Sequence, residues 1–191
     1  MSDTRLFFAA MPPPQTVAAI RALLDRRGLE QWLGPALFAP GNWHQSLSER
    51  VFNPTRADIA LLRGVGESVV AHACTLQYNR IDSSVNPKGR VHLTLRARGR
   101  PRAFVELNEA VRARLDAGGY GAMATGVTPH TTLSYDAPGR IDRIELDTPL
   151  HWTIDELLLV HGQGRPYRYE VIDRWPLLPE RDPSTPQIGL F

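Results

Sequence analysis

The chain has 191 residues, of which 42% are hydrophobic, a formal net charge of +2 and a single cysteine, Cys74. This length allows one full hydrophobic core or two small fused lobes, and no run of about 18 apolar residues indicates a membrane span. A single cysteine excludes an internal disulfide bond, so we expect a reducing, cytoplasmic location.

The basic residues are of an unusual kind. All of the 22 Lys and Arg residues except Lys88 are arginine. Arginine makes planar, bidentate contacts with phosphate that lysine does not make. A GC-rich genome produces the same bias, and so small a net charge does not by itself indicate a nucleic-acid partner. Both explanations stay open at this point.

The first half of the chain alternates between strand and helix patterns. The apolar start, up to Met11, is too short for the core of a signal peptide and is predicted to be a strand. The predicted elements are a strand over 5–11, a helix around Val17, Ile20 and Leu24 that ends at Gly28, a helix with a capping box formed by Thr55 and Asp58, and strands over 74–81 and 90–95.

The second half repeats this alternation. A helix after Pro101 ends at Gly118. Strands are predicted over 127–135, 152–160 and 167–175, followed by a proline-rich surface tail from about 176. We therefore expect an α+β fold with two pseudo-symmetric lobes, each a mainly antiparallel sheet with outer helices, around a central cleft. The whole chain, 1–191, is predicted to be one bilobal domain.

Two short segments share one pattern, in which a histidine is followed two residues later by a hydroxyl residue and then by leucine. They are His44-Gln45-Ser46-Leu47 and His130-Thr131-Thr132-Leu133, one in each half of the chain. Residues two apart on a strand share a face, so each histidine is expected to lie beside its hydroxyl residue. The recurrence predicts a paired site across the cleft.

This set of side chains suits the cleavage of a phosphoester. Imidazole titrates near neutral pH and can act as base or acid, so two imidazoles on opposite sides of a phosphorus atom can activate water and protonate the leaving oxygen. The hydroxyls of Ser46 and Thr132 can donate to the non-bridging oxygens. A strained 2′,3′-cyclic phosphate is a suitable substrate, and no metal or other cofactor is expected.

The chain resembles the bacterial RNA 2′,3′-cyclic phosphodiesterases, also called 2′-5′ RNA ligases, of the two-histidine (2H) phosphoesterase superfamily. The resemblance covers nearly the whole chain. It includes Arg5-Leu6-Phe7-Phe8-Ala9, the HxTx-like motif after Asn42, Pro129-His130-Thr131-Thr132-Leu133, Gly164-Arg165-Pro166-Tyr167-Arg168-Tyr169 and Arg174-Trp175. It implies that His44 and His130 are catalytic, that Ser46 and Thr132 hold the phosphate, and that the fold is bilobal. The implied activity is opening of cyclic RNA ends to 2′-phosphomonoesters, with weak reversible 2′-5′ joining.

Two departures from the family pattern concern the substrate. Ser46 stands where the family more often has threonine, and Ser134-Tyr135 follows Leu133 where the family often carries an arginine. We expect Arg165 to supply the positive contact to phosphate instead. Tyr135 and Tyr167 are candidates for stacking on a base or ribose, although packing in the core or between the lobes is the more common role of aromatic residues on strands.

Further residues have competing interpretations. His92-Leu93-Thr94-Leu95 matches the histidine pattern, but its place in the family order indicates an ordinary strand. Arg96, Arg98, Arg100 and Arg102 follow it, and this ridge either tracks an RNA backbone or protects an edge strand with charge. A metal site built from His44, His92 and His130 is a weaker alternative, because no metal-type spacing is present.

Three hypotheses for function follow. The first is a metal-independent RNA 2′,3′-cyclic phosphodiesterase, whose partners are RNA ends or small cyclic-phosphate nucleotides, with no membrane and no obligate protein partner. The second is a hydrolase of the same superfamily that acts on another small cyclic-phosphate nucleotide. The third is an RNA-end binding protein without catalysis.

Overall fold

A computed structural model describes residues 4–181 and contains two antiparallel sheets. Its strands in chain order are β1 (Arg5–Ala10), β2 (Gln45–Ser46), β3 (Val51–Phe52), β4 (Cys74–Val85), β5 (Val91–Ala97), β6 (His130–Ser134), β7 (Ile144–Ile154), β8 (Glu156–Gln163) and β9 (Arg168–Pro176). The first sheet has the order β2-β1-β8-β9, and β3 also pairs with β1. The second sheet has the order β6-β5-β4-β7.

Four α-helices accompany the sheets within residues 4–181. They are α1 (Pro14–Arg26), α2 (Leu29–Leu33), α3 (Arg56–Ser68) and α4 (Arg102–Ala117). The predicted capping box is present, because Thr55 Oγ1 accepts from Asp58 N and Thr55 N donates to the Asp58 carboxylate. Gly28 follows α1 with a φ of 66°, a left-handed conformation that glycine adopts without a steric penalty.

The helices pack against both sheets, and one core joins them. Helix α3 contacts β8 and β9, α4 contacts β4, and α1 contacts β7. The core includes Phe8 and Leu159 from the first sheet, Leu95 and Trp152 from the second, and Phe104 from α4. The predicted α+β architecture with two lobes is confirmed. Within residues 4–181, no helix is both long and apolar enough to cross a membrane.

Strand alternation leaves the opposite face of each sheet for the cleft. In β1, Leu6 and Phe8 belong to the main core, whereas Phe7 and Ala9 form a separate small cluster with Leu158 and others. In β5, Leu93, Leu95 and Ala97 are buried in the main core. The period-two pattern predicted in the sequence thus separates a core face from a cleft face.

The prediction of a single strand over 152–160 is wrong, because this segment contains the end of one strand and the start of another. Strand β7 ends at Ile154 and β8 begins at Glu156, so the chain passes from the second sheet to the first at Asp155. Neither glycine nor proline marks this passage. The apolar run 157–160 is buried on both faces, which hides the change of sheet in the sequence pattern.

Smaller boundary differences also have physical reasons. Strand β6 begins at His130 rather than at 127, and the residue before it is Pro129, which has no N–H to donate to a ladder. Beyond β9, Leu178 forms a parallel bridge with His72. The predicted proline-rich tail beyond residue 181 lies outside the described residues.

Candidate functional site

The two histidine motifs place alternate side chains on one side of their strands. Trp43 and Leu47 enter the main core, while His44 and Ser46 line a cavity of about 200 Å³. In the second motif Leu133 enters the core, while His130 and Thr132 line the same cavity. The remaining lining residues are Ser48, Glu49, Arg50, Gly126, Val127, Thr128 and Tyr135.

The backbone of each motif is fixed by pairing with a neighbouring strand. Ser46 lies opposite Ala9 of β1, and Leu47 N donates to Phe8 O at 2.8 Å. In the second sheet Thr132 lies opposite Thr94 and His130 lies opposite Arg96. His130 therefore projects from a hydrogen-bonded strand and His44 from the residue directly before one, which limits the movement of both.

His44 is held against an aromatic floor and is only 5% exposed. Its ring centroid lies 4.8 Å from that of Tyr169 and 5.3 Å from that of Phe7. Nδ1 lies 2.8 Å from Asn42 O, and because a carbonyl only accepts, Nδ1 carries the proton. Burial is the main cause that lowers the pKa of His44 to about 4. The hydrogen bond to the Asn42 carbonyl raises this pKa, and the charges of Arg50 and His130 lower it by smaller amounts.

His130 has the same arrangement in the second motif. Its Nδ1 lies 2.9 Å from the carbonyl oxygen of Thr128, again two residues earlier in the chain. Burial lowers the pKa of His130, the Thr128 carbonyl raises it, and the positive charges of Arg96 and Arg50 lower it further. Both neutral imidazoles therefore carry the proton on Nδ1 and keep a lone pair on Nε2.

The hairpin between β8 and β9 supports the first motif. The side chain of Asn42 donates to Tyr167 O at 3.0 Å and accepts from Tyr169 N at 3.1 Å. The carbonyl of the same Asn42 orients His44. Tyr169 also packs edge-on against the His44 ring, so the hairpin positions this imidazole through both backbone and side chain.

The positive charge at the cavity comes from Arg50, whereas the sequence favoured Arg165. The guanidinium carbon of Arg50 lies 5.8 Å from the Phe7 ring centroid, and its Nη2 is 3.4 Å from the hydroxyl of Tyr135. Arg50 lowers the pKa of both histidines, which places its charge near each imidazole. The sequence pattern did not single out Arg50, because it follows the end of β2 and has no motif of its own.

The other three predicted binding residues lie in three different places. Tyr135 lines the cavity, with its ring 5.0 Å from that of Phe38. Arg165 instead lines a separate cavity at the tip of the β8–β9 hairpin. Tyr167 lies one layer behind His44, where its ring packs against Tyr169 at 5.6 Å. A contact from Arg165 or Tyr167 to a substrate stays a prediction.

His92 does not line the cavity, although its tetrapeptide matches the motif. Its Nε2 lies 3.1 Å from Asn86 Nδ2, and its ring lies 4.8 Å from that of Tyr135. Within residues 4–181, no group of three or more His, Cys, Asp and Glu side chains is arranged to hold a metal ion. The three histidines of the metal hypothesis do not form such a group.

Gln45 connects the two motifs, and the sequence pattern did not single it out either. It is fully buried, and its side chain bonds to backbone atoms of Ser46, Thr128 and His130. It occupies the variable position of the first motif, where the pattern gives no indication of a role. Its one signal in the sequence is a polar amide at the position two residues from each of the core residues Trp43 and Leu47.

Comparisons with known structures give the fold. Escherichia coli LigT superposes with a TM-score of 0.71 at 22% identity, covering 93% of this chain and 99% of LigT. A crystal structure of a phosphoesterase gives 0.69 at 22% identity, with coverages of 92% and 99%. TT0787 of Thermus thermophilus gives 0.70 at 19% identity, with coverages of 93% and 100%. No protein-family model and no curated protein matches the sequence.

These similarities extend over almost the full length of each protein. The chain therefore has the fold of LigT, and the resemblance to two-histidine phosphoesterases is confirmed at the level of the fold. At such identities the comparison does not carry an activity from one protein to another. Function is therefore inferred from the side chains of the site.

Proposed function

We propose that this chain is a phosphodiesterase that opens the 2′,3′-cyclic phosphate at the end of an RNA to a 2′-phosphomonoester. The observation that carries the proposal is the matched orientation of two imidazoles at one cavity. Each of His44 and His130 bonds through Nδ1 to the carbonyl two residues earlier, and each keeps Nε2 for a ligand. This arrangement provides one base and one acid at a shared phosphate.

The proposed reaction transfers two protons. Nε2 of His44 removes a proton from water, whose oxygen attacks phosphorus. The bond from phosphorus to O3′ breaks, and His130 gives a proton to O3′. Burial keeps His44 neutral at pH 7 in the free protein. An anionic phosphate raises the pKa of both imidazoles when it binds, which strengthens His44 as a base and allows His130 to hold a proton.

Three groups are candidates to stabilise, by hydrogen bonds, the negative charge that develops on the non-bridging oxygens. These are the hydroxyls of Ser46 and Thr132 and the guanidinium of Arg50, all of which line the cavity. A preorganised donor aimed at such an oxygen is typically worth about 10²–10³ in kcat. Ser46 lies in the first sheet and Thr132 in the second, so a phosphate in the cavity contacts both lobes.

The substrate class is supported by the ligands of a structural neighbour. LigT has been crystallised with 3′-AMP, with ATP and with phosphate. These ligands indicate that this fold accepts a nucleotide with its phosphate. With a 5′-hydroxyl in place of water, the same proton transfers join two ends through a 2′-5′ bond, so weak ligation is part of the proposal.

The test is turnover of adenosine 2′,3′-cyclic phosphate, with 2′-AMP and 3′-AMP separated by chromatography. The proposal predicts 2′-AMP as the product, at a rate that EDTA does not change. A protein carrying both His44→Ala and His130→Ala is the control for contaminating activity. Absence of turnover contradicts the proposal, while 3′-AMP as product contradicts the assignment of O3′ as leaving group.

The size of the cavity also suits one alternative class of substrate, the small cyclic-phosphate nucleotides. About 200 Å³ accommodates a phosphate with part of its sugar, which both RNA ends and small cyclic-phosphate nucleotides provide. A panel of cyclic-phosphate derivatives measured beside a short cyclic-ended RNA distinguishes the two. Faster turnover of a small derivative than of the RNA favours a small-molecule substrate.

A further inference from the structure

A second cavity adjoins the histidine site on the second sheet. It has a volume of about 270 Å³ and is lined by three arginines, Arg80, Arg96 and Arg100. Thr128, whose carbonyl orients His130, lines both cavities. We call the three-arginine cavity the arginine pocket. The two cavities therefore adjoin at Thr128.

The arginine pocket lies in one row with His130 across three strands. His130 of β6 is the direct partner of Arg96 of β5, and Arg96 is the direct partner of Arg80 of β4. Direct partners in antiparallel strands share a face of the sheet. Since neighbouring strands are about 4.8 Å apart, the row extends about 10 Å from His130 to Arg80.

Asp82 holds two of these guanidinium groups in place. Its Oδ2 lies 2.9 Å from Arg80 Nε and 3.7 Å from Arg96 Nε, while Oδ1 lies 2.9 Å from Arg143 Nε. The side chains of Arg80 and Arg96 are only 25% and 32% exposed. One carboxylate thus orders several arginines without neutralising them, and the pocket keeps a net positive charge.

Half-buried, ordered arginines with surplus positive charge form a typical receptor for phosphate. The fork of a guanidinium matches two phosphate oxygens, and its weak hydration lowers the cost of removing water. Arg80 and Arg96 lie within two strand spacings of the proposed acid, His130, a distance on the scale of one nucleotide. A substrate with a second phosphate near its cyclic end therefore fits both cavities at once.

We propose that the arginine pocket binds the phosphodiester on the 5′ side of the terminal nucleotide, whose cyclic phosphate lies between the two histidines. This inference rests on the proposed function and adds to it a second phosphate-binding subsite. The chemistry recognised is a second phosphate group. A free nucleotide with a separate 5′-phosphate presents similar chemistry, so the experiment includes it as its own arm.

The experiment compares three substrates that end in the same adenosine 2′,3′-cyclic phosphate. The first has a free 5′-hydroxyl, the second a 5′-phosphate, and the third is the dinucleotide, in which that phosphate is a diester. The intact protein is compared with Arg80→Gln and Arg100→Gln, and Arg90→Gln is the matched control. Arg90 directly precedes β5, at the end away from Arg96, and its substitution changes the net charge equally.

For the intact protein we expect kcat/KM to be at least about tenfold higher for the dinucleotide than for the 5′-hydroxyl substrate, since a charged hydrogen bond is gained. Arg80→Gln and Arg100→Gln should each reduce this ratio about tenfold, and Arg90→Gln should preserve it. Each substitution that removes an arginine–phosphate contact should make the slope of log kcat/KM against log salt concentration shallower by about 0.7 for the dinucleotide.

The outcomes separate the two proposals. Absence of turnover on all three substrates overturns the proposed function together with this inference. Turnover with equal kcat/KM for all three, or a ratio that neither arginine variant changes, overturns the arginine pocket alone. A preference for the 5′-phosphate substrate over the dinucleotide overturns the assignment to RNA ends and identifies a free nucleotide as the ligand. A misfolded Arg80→Gln protein leaves Arg100→Gln to decide.

Discussion

The side-chain oxygen of Gln45 accepts the backbone N–H of His130 at 2.7 Å. The amide nitrogen of the same side chain donates to the carbonyls of Ser46, at 2.8 Å, and Thr128, at 3.1 Å. The Thr128 carbonyl also binds His130 Nδ1. The variable residue of the first motif therefore fixes both the backbone and the ring orientation of the second histidine.

Gln45→Met should impair both stability and catalysis. Methionine is similar in size but leaves the backbone N–H of His130 without its side-chain acceptor, at a cost of about 1–3 kcal/mol. Because a displacement of about 1 Å reduces the rate of a positioned reaction by about 10², kcat should fall more than KM rises. Steady-state kinetics and urea unfolding measure the two effects.

Thr131→Val is the matched control for Gln45. Thr131 occupies the equivalent position in the second motif, but its hydroxyl bonds to Tyr78 in the core at 3.0 Å. This variant should lose stability while kcat is retained. An equal fall of kcat in both variants would show that Gln45 acts only through general stability.

The two hydroxyls of the site should contribute similarly. Ser46→Ala and Thr132→Val each remove one candidate donor, so kcat should fall by about 10²–10³. Ser46→Thr keeps a hydroxyl at this position and should retain activity. Ser134→Ala is the control, since its hydroxyl accepts from Asp136 N in a turn. Unchanged kcat in Ser46→Ala and Thr132→Val would remove both from the mechanism.

Arg50→Gln should change both substrate binding and the pH profile. Removal of a guanidinium from the cavity should raise KM about tenfold. Arg50 lowers the pKa of His44 and His130, so its removal should raise the pKa of each imidazole and move the acidic limb of kcat/KM to higher pH.

Arg50→Lys distinguishes charge from shape. It keeps the positive charge but loses the planar fork, so the acidic limb should stay near its original pH while KM still rises. An acidic limb that stays unchanged in Arg50→Gln would mean that the Arg50 charge does not reach the imidazoles.

The buried His44 should make the protein sensitive to acid. In the folded protein the pKa of His44 is about 4, whereas the unfolded chain takes up this proton near pH 6.5. Its contribution to stability is therefore complete above pH 6.5 and is lost as the pH falls toward 4. The loss amounts to roughly 3 kcal/mol at pH 4.

The measurement is urea unfolding of the intact protein and His44→Gln at pH 7 and pH 4. The variant cannot take up this proton, so its free energy of unfolding should fall by roughly 3 kcal/mol less than that of the intact protein. Equal losses in the two proteins would contradict a buried, neutral His44.

Strand periodicity predicted much of this architecture because it depends only on neighbouring residues. It placed His44 beside Ser46 and His130 beside Thr132, and the structure brings all four side chains to one cavity. The identical pattern at His92 lies outside that cavity, because β5 is an inner strand of the second sheet. Sequence spacing does not state which strand borders the cleft.

The contacts that complete the site come from residues distant in the chain. Arg50 contacts Phe7 and Tyr135, and Gln45 contacts Thr128 and His130 across the two sheets. Such contacts depend on how the lobes meet, which no local pattern encodes. For the same reason the sequence favoured Arg165 as the phosphate contact, whereas the structure puts Arg165 in another cavity.

The most direct test of a shared two-histidine centre is kcat on a 2′,3′-cyclic nucleotide for His44→Ala, His130→Ala and the double variant, with folding checked by urea unfolding at pH 7. Each single variant should lose at least about 10² in kcat. The double variant should be little worse than either, since the two groups act as a unit. Near-normal turnover by either folded single variant would contradict the account.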